Sequence, residues 1–315
     1  MTEKRILDNK YVLKDIKSEH VKAISDCRWS NDGVYLGTTS NDRTVKISQI
    51  DNQGSCRIIH NTSLSYGPAT IFTWNPIDSK RFSIAGDSKI IEIWDVRSQK
   101  AASKITSLGN NLSMAWSPDG KYLAVVNKSD NLSVIDLSTG DIIKNVKLAY
   151  EINEVAWTAN SDHLLLATGA PEHQIDLISF KDTNLNMVEG LSAHTSNARF
   201  LKIDPTFRRL AVGSVDHTVS LWDLDDLLCD RTITLDSSVT GLTFSGDGTE
   251  FAAASETPTL LICDSYTGET KAKVDIRNDF LAMAWHPTQR LIAIATLEKS
   301  ISNPSYLRLL SFPSS

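Results

Sequence analysis

The stretch Ala115-Trp116-Ser117-Pro118-Asp119-Gly120 indicates the fold class, because a short apolar run ends there in a turn. A second apolar run follows from Tyr122 to Val126, and a third run, from Leu132 to Asp136, follows a polar turn. Runs of about five residues separated by Gly, Pro, Asn and Asp are typical of β-strands. The stretch therefore predicts three consecutive strands.

The same pattern recurs along the whole chain. The residue that ends the first run of each unit is a tryptophan or another large apolar residue, namely Trp29, Trp74, Trp116, Trp157, Ile203, Phe244 and Trp285. Successive members of this series are separated by 45, 42, 41, 46, 41 and 41 residues. A fixed period of this length indicates a repeat architecture. Since no long helical pattern interrupts the repeats, the sequence predicts an all-β array of seven units.

The third run of several units ends in a second marker. This marker reads Trp94-Asp95 and Trp222-Asp223, with Ile135-Asp136 and Cys263-Asp264 as weaker versions. A period of 40 to 45 residues that carries Trp-Asp resembles the WD40 repeat. The resemblance implies a seven-bladed WD40 β-propeller, in which Trp94, Asp95, Asp136, Asp223 and Asp264 are blade markers.

In the WD40 family a His, a Ser or Thr, an Asp and the Trp of one blade form a hydrogen-bonded chain. The fifth unit carries a full set, which we expect to be His194, Ser214, Asp216 and Trp222. The first unit keeps His20, Ser40 and Asp42 but has Ser48 at the Trp position. The resemblance implies that these residues hold strands together and perform no catalysis.

Ring closure can also be predicted. The seventh unit has three apolar runs, and the segment from Arg5 to Lys14 is a candidate for its missing fourth strand. Pairing a terminal strand there covers an edge that would otherwise promote aggregation. We therefore expect residues 1–315 to form a single domain, with a closing strand within residues 1–14 and seven repeats over about residues 18–313.

Composition and motifs argue against several functions. The chain has 22 % charged and 41 % hydrophobic residues, no apolar run long enough for a membrane span and no apolar segment typical of a secretory signal. Its net charge is −6, so it lacks the basic character of a protein that binds nucleic acid by itself. The four cysteines have no zinc-ligand spacing, and no catalytic or phosphate-binding motif occurs. We therefore expect no enzyme activity, no metal and no cofactor.

Longer segments narrow the resemblance within the WD40 proteins. Ala193-His194-Thr195-Ser196-Asn197 is followed by Asp223-Leu224-Asp225-Asp226-Leu227-Leu228-Cys229, and neither segment is required by a generic repeat. Over roughly residues 74–285 the chain resembles the THO complex subunit 3 family. The resemblance implies a nuclear, non-catalytic scaffold of the THO/TREX complex, which couples transcription to mRNA export. It also implies contact with other THO/TREX subunits, especially the large helical THO subunit 2, contact with mRNA only through the complex, and a monomer in isolation.

Two other readings remain open at the level of sequence. Trp94-Asp95-Val96-Arg97 matches the Trp-Asp-x-Arg motif of WD40 substrate receptors of cullin ubiquitin ligases, with Arg97 as a possible partner contact. Arg97 can equally be a surface cation beside a turn. The third reading is a generic peptide-binding propeller, which would need suitable side chains at the mouth of its central channel.

Overall fold

The chain folds into short strands joined by turns. The structure, a computed structural model, describes residues 4–7, 11–16, 18–51, 54–98, 100–276, 278–297 and 305–312, with only the backbone described for residues 4–7 and 305. Within these ranges every regular element is a β-strand. The described part of the chain contains no helix that could span a membrane.

The strands form seven antiparallel sheets, which we call blades 1 to 7. The first two strands are β1 (Lys4–Leu7) and β2 (Tyr11–Ile16). Blade 1 contains β3 (Ile24–Trp29), β4 (Leu36–Ser40), β5 (Thr44–Ile50) and β6 (Cys56–Ser63). Blade 2 contains β7 (Ala69–Trp74), β8 (Arg81–Gly86), β9 (Ile90–Asp95) and β10 (Ser103–Thr106). Blade 3 contains β11 (Asn111–Trp116), β12 (Tyr122–Asn127), β13 (Asn131–Asp136) and β14 (Ile142–Lys147).

The remaining blades follow the same order. Blade 4 contains β15 (Ile152–Trp157), β16 (His163–Thr168), β17 (Ile175–Lys181) and β18 (Asn184–Leu191). Blade 5 contains β19 (Ala198–Ile203), β20 (Arg209–Ser214), β21 (Thr218–Asp223) and β22 (Leu228–Thr234). Blade 6 contains β23 (Val239–Phe244), β24 (Glu250–Ser255), β25 (Thr259–Asp264) and β26 (Thr270–Asp275). Blade 7 contains β27 (Asp279–Trp285), β28 (Leu291–Leu297) and β29 (Ser305–Ser311), together with β2 and β1.

The blades are arranged in a closed ring. Within each of blades 1 to 6 the strands are hydrogen-bonded in chain order, so the first strand lies at one edge of the sheet and the last at the other. The first strand of each blade contacts the first strand of the next, and β27 of blade 7 contacts β3 of blade 1. These seven strands, which we call the inner strands, therefore surround the centre of the molecule. The prediction of a seven-bladed β-propeller is confirmed.

The hydrophobic core consists of layers between neighbouring blades. In the layer between blades 4 and 5, Leu165 and Ala167 pack with Leu201, Leu210 and Trp222, all of which are buried. Side chains alternate between the two faces of a strand, and in these blades apolar side chains lie on both faces. Neighbouring blades therefore cover both faces of each blade, apart from its outer strand. Each marker residue that ends an inner strand therefore contributes to an interblade layer.

An N-terminal strand closes the ring, as predicted, but at a later position. The closing strand is Tyr11–Ile16, which pairs with β29 so that Leu13 lies opposite Leu310 and Ile16 opposite Leu307. Lys4–Leu7 then adds a fifth strand on the outer side of β2. The expected range from Arg5 to Lys14 includes residues 8–10, which lie outside the described residues. The register is set by burial, because Leu13 and Ile16 are the β2 side chains that enter the core.

Candidate functional site

Blade 5 contains a chain of hydrogen bonds that links the segment before β19 to the turn between β20 and β21 and to β21 itself. His194 precedes β19, Asp216 lies in the turn before β21, and Ser220 and Trp222 lie on β21. The Nδ1 atom of His194 is 3.3 Å from Asp216 Oδ2, and its Nε2 atom is 2.8 Å from Ser220 Oγ. Trp222 Nε1 donates to the same Ser220 oxygen at 2.8 Å. The structure therefore brings together three of the four residues expected from the sequence.

The hydroxyl in this chain belongs to Ser220 and not to Ser214, which corrects the expected set. Ser214 instead donates to the carbonyl of Ser196 at 3.0 Å and accepts from the Asp216 N–H at 3.1 Å. Ser220 lies two residues before Trp222 on β21, so the two side chains share one face of the strand, whereas Ser214 ends β20 at the turn. Both serines are fully buried, so burial alone does not separate them.

The donor and acceptor roles in the chain follow from its ends. Indole Nε1 can only donate, so the Ser220 oxygen accepts from Trp222 and its own proton goes to His194 Nε2. His194 Nδ1 then carries the ring proton and donates to Asp216. Burial lowers the pKa of His194 despite the opposing effect of Asp216, which favours this neutral ring. Burial alone would raise the pKa of Asp216, but hydrogen bonds from Thr218 and Thr195 outweigh it and lower that pKa.

Blade 1 contains a related arrangement without a tryptophan. His20 Nδ1 lies 3.1 Å from Asp42 Oδ2, but its Nε2 contacts Thr38 Oγ1 at 2.9 Å. Ser40 holds the same kind of backbone contacts as Ser214, and Ser48 is buried at the Trp position. Lys46 stands at the blade 1 position that Ser220 has in blade 5, and it donates to the Glu19 carbonyl at 2.6 Å. The hydroxyl next to His20 is therefore that of Thr38 on β4.

The aspartates of the blade markers share a local role. Each accepts the backbone N–H of the residue two positions later, at 2.8–3.0 Å, which caps the turn that leads to the outer strand. These residues are Asp95, Asp136, Asp223 and Asp264. Trp94 in turn donates Nε1 to Glu92 at 2.9 Å, so a carboxylate takes the place of the blade 5 serine.

Arg97 is held against its own turn. Its Nε donates to Asp95 Oδ1 at 2.7 Å, and Nη2 also contacts Asp95. Its side chain is 59 % exposed, so it lies at the surface. Hydrogen bonding by Arg97 lowers the pKa of Asp95 to about 2. The pair is typical of a surface turn and does not by itself indicate a partner.

The inner strands surround a cavity of about 1030 Å³. It extends from the first residues of these strands, such as Arg199, to the turns that follow them, such as Pro205. Apolar side chains from Met114, Phe200 and Met283 line its wall. A cavity of this volume is large enough to bury a small ligand or a short peptide segment. It is the candidate functional site, and we call it the central channel.

Each inner strand has a bulge near its start, and in blades 1 and 4 an acidic side chain at the bulge bonds to the next blade. In blade 1 the register shifts between Ile24 and Asp26, and Asp26 then accepts the N–H of Phe72 in blade 2 at 3.1 Å. In blade 4 the shift lies between Ile152 and Glu154, and Glu154 accepts the N–H of Leu201 in blade 5 at 2.6 Å. Backbone N–H groups of one blade are thereby satisfied by side chains of the previous one.

Two pairs of opposite charges lie in the channel. Arg28 Nε contacts Asp26 Oδ1 at 3.2 Å in blade 1, and Lys202 of blade 5 contacts Glu154 of blade 4. Burial raises the pKa of Asp26 despite the opposing effect of Arg28. Burial also lowers the pKa of Lys202, and the positive charge of Arg28 acts in the same direction. The positive charge of Arg28 in blade 1 therefore acts on Lys202 in blade 5.

These channel residues belong to no sequence motif that marks them as functional. The available signal was a charged side chain within an apolar inner-strand run, as in Asp26, Arg28 and Lys202. Such a residue must either face solvent or find a partner, but the sequence alone does not show which. In the described ranges no group of three or more His, Cys, Asp or Glu side chains is arranged to hold a metal ion.

Comparisons with known proteins agree with this architecture. The family model described as "WD domain, G-beta repeat" matches residues 12–47 and 185–223. The model described as "Anaphase-promoting complex subunit 4 WD40 domain" matches residues 87–160. Both are models of WD40 repeats, in agreement with the seven blades.

Three curated proteins are similar over most of the chain. THO complex subunit 3 of Arabidopsis thaliana is 31 % identical over 309 residues, which cover 94 % of each chain. WD repeat-containing protein AAC3 of Dictyostelium discoideum is 28 % identical over 67 % of this chain and 48 % of its own. Protein TEX1 of Saccharomyces cerevisiae is 24 % identical over 66 % of this chain and 50 % of its own. The match thus spans nearly the full length of the first relative and about half of the other two.

Proposed function

This chain belongs to the THO complex subunit 3 family of WD40 proteins, and from this membership we propose that it is a non-catalytic scaffold subunit of a THO/TREX assembly. In that role it contributes to the coupling of transcription to mRNA export through protein–protein contacts. The observation that carries the proposal is 31 % identity to a THO complex subunit 3 over 94 % of both chains. A partial match confined to a few repeats would support only the fold.

The polar groups of the blades are consistent with a scaffold. His194 and Asp216, which could resemble a catalytic pair, are used within one hydrogen-bonded chain that ends on Trp222. His20 and Asp42 form a similar contact in blade 1. These side chains connect strands and support a rigid ring, which can then present loops to other proteins.

We propose other THO/TREX subunits as partners, with the large helical THO subunit 2 as the direct contact. The net charge of −6 argues against tight RNA binding by the chain alone, so contact with mRNA is proposed to be indirect. The proposed location is the nucleus, reached in the assembly, and the proposed state of the isolated chain is a monomer.

Affinity purification of the tagged chain from cells of its own source tests the proposal. We expect THO subunits to co-purify and to remain bound after RNase treatment, because the contacts are between proteins. Arg97→Ala should retain the same partners, since Arg97 contacts Asp95 at the surface. If a cullin adaptor co-purifies with the wild-type chain but not with Arg97→Ala, the chain is a substrate receptor of a ubiquitin ligase and the THO/TREX proposal is wrong.

RNA binding by the purified chain provides a second test. Fluorescence anisotropy with a single-stranded RNA should show little binding at physiological salt. Affinity in the nanomolar range, falling steeply with added salt, would contradict an indirect role, because such binding requires several phosphate contacts.

A further inference from the structure

The central channel contains positively charged groups with hydrogen-bonding capacity left over. Arg28 uses Nε to contact Asp26, while its two η nitrogens make no hydrogen bond to any residue that the structure describes. Its side chain is 38 % exposed, although it lies on an inner strand. Lys202 Nζ contacts Glu154 and the carbonyl of Leu201, which leaves one of its three N–H donors.

A third cation lies on the same wall. Arg199 is the second residue of β19, is exposed and lines the channel where the inner strands begin. Among the described residues it has no hydrogen-bond or ion-pair partner. Arg199 and Lys202 therefore lie on one inner strand, one near its start and the other deeper in the channel.

The carboxylates of the channel are already engaged. Asp26 accepts the N–H groups of Cys27 and Phe72 in addition to Arg28. Glu154 accepts from the Leu201 N–H and from Lys202. The formal charges of the two ion pairs, Arg28 with Asp26 and Lys202 with Glu154, balance. Their unused hydrogen-bonding capacity is nevertheless mainly donor capacity. An incoming group that accepts hydrogen bonds fits this arrangement, whereas a cation would have to compete for occupied carboxylates.

The wall between the charged groups is apolar. Met114, Phe200, Phe280 and Met283 line the channel, and the ring of Phe280 lies against Gly241, where an added Cβ would be 2.6 Å from the ring. An occupant with both an apolar stem and a negatively charged end would satisfy both parts of this surface.

From these contacts, and resting on the scaffold function proposed above, we propose that the central channel binds an acidic segment of a partner protein. Glu or Asp side chains of that segment accept hydrogen bonds from Arg28 and Lys202, and their apolar neighbours contact Phe200 and Met114. Arg199 supplies the first contact at the mouth. Charge complementarity selects this occupant over a basic or purely apolar peptide.

Binding of synthetic peptides to the purified full chain tests this proposal. The probe is a fluorescein-labelled peptide of alternating Glu and Leu, and its counterpart has Gln in place of Glu. We expect the Glu peptide to bind at least about tenfold more tightly than the Gln peptide, because it alone forms charge-assisted hydrogen bonds. Arg28→Gln with Lys202→Gln should remove most of this preference, and added salt should weaken it.

Matched variants separate binding from folding. Arg97→Gln with Lys121→Gln removes the same number of positive charges from the surface and should bind the Glu peptide as the wild type does. Arg199→Gln should weaken binding several-fold with an unchanged melting temperature, because no contact to a described residue is lost. Equal binding of the two peptides, or equal loss in the surface variant, would overturn the proposal.

Competition with inorganic phosphate shows whether the channel binds an acidic peptide or a free oxyanion. We expect phosphate to displace the Glu peptide from the wild type, since both use the same donors. If phosphate binds in an Arg28-dependent manner while the Glu peptide does not bind, the channel is a site for a free oxyanion and the acidic-segment proposal is wrong. If THO subunits co-purify with the channel variants as well as with the wild type but the peptides do not discriminate, the scaffold function stands without this inference.

Discussion

Replacing Ser220 by Ala should destabilise blade 5, although the repeat pattern of the sequence does not place Ser220 in the hydrogen-bonded chain. The change removes the hydroxyl that lies 2.8 Å from both His194 Nε2 and Trp222 Nε1. It leaves one buried donor and one buried acceptor without a partner. At about 1–3 kcal/mol for each of these two unsatisfied buried groups, we expect a total loss of about 2–6 kcal/mol.

A double-mutant cycle in urea unfolding, followed by circular dichroism, distinguishes this chain from the one expected from the sequence. Ser220→Ala and Trp222→Phe remove the two ends of one hydrogen bond, so their effects on the free energy of unfolding should be coupled by about 1 kcal/mol or more. Ser214→Ala also costs stability, because Ser214 contacts Ser196 and Asp216. Its effect should nevertheless add to that of Trp222→Phe within about 0.5 kcal/mol.

The opposite pattern would refute this reasoning. If Ser214 couples to Trp222 and Ser220 does not, the hydroxyl of the chain is Ser214, as the repeat pattern alone suggested. Asp216→Ala should also destabilise blade 5, by about 2–4 kcal/mol, because its carboxylate accepts hydrogen bonds from Thr195 and Thr218 as well as from His194. Wild-type stability of Asp216→Ala would indicate that the chain is not formed.

Three further predictions concern other parts of the ring. His60 is buried against Phe82 and Trp94, neither ring nitrogen has a hydrogen-bond partner among the described residues, and burial lowers its pKa. The unfolded chain then binds a proton to His60 more readily than the folded chain does, so stability is lost as pH falls from about 6.5 toward the lowered pKa. His60→Phe should therefore reduce the drop in melting temperature between about pH 7.5 and 5.5. An equal drop in both proteins would contradict this. Deleting residues 1–17 should lower the melting temperature and cause self-association in size-exclusion chromatography, because it exposes the edge of β29 and removes the buried Leu13 and Ile16. Deleting residues 1–9 should have a smaller effect. An unchanged melting temperature and monomeric state after the longer deletion would show that β2 does not close the ring. Gly246→Ala should cost about 1–3 kcal/mol in urea unfolding, because the new Cβ would lie 1.5 Å from the Pro287 carbonyl oxygen; an unchanged midpoint would mean that blades 6 and 7 are less closely packed there.

The closing strand shows where sequence reasoning reaches its limit. The missing fourth strand of the seventh unit was predictable, because the resemblance to WD40 repeats implies four-stranded blades. The expected range, Arg5 to Lys14, begins earlier than the observed strand, because the segment holds two strands, Lys4–Leu7 and Tyr11–Ile16, and the sequence lets either pair with β29. Burial of Leu13 and Ile16 against blade 7 selects the second. That choice depends on a surface formed by residues nearly 300 positions away, as in the pairing of Leu13 with Leu310.

The sequence by itself determined the number of blades, the order of their strands and the positions of the marker residues. These features repeat in it because strand alternation and turn chemistry act between residues close together in the chain. Only the tertiary structure decided that Ser220 completes the hydrogen-bonded chain of blade 5 and that Arg28 and Lys202 share one channel. The reason is geometric: the direction of a side chain depends on the pleat and bulge of its strand, and closure of the ring brings together charges from distant blades.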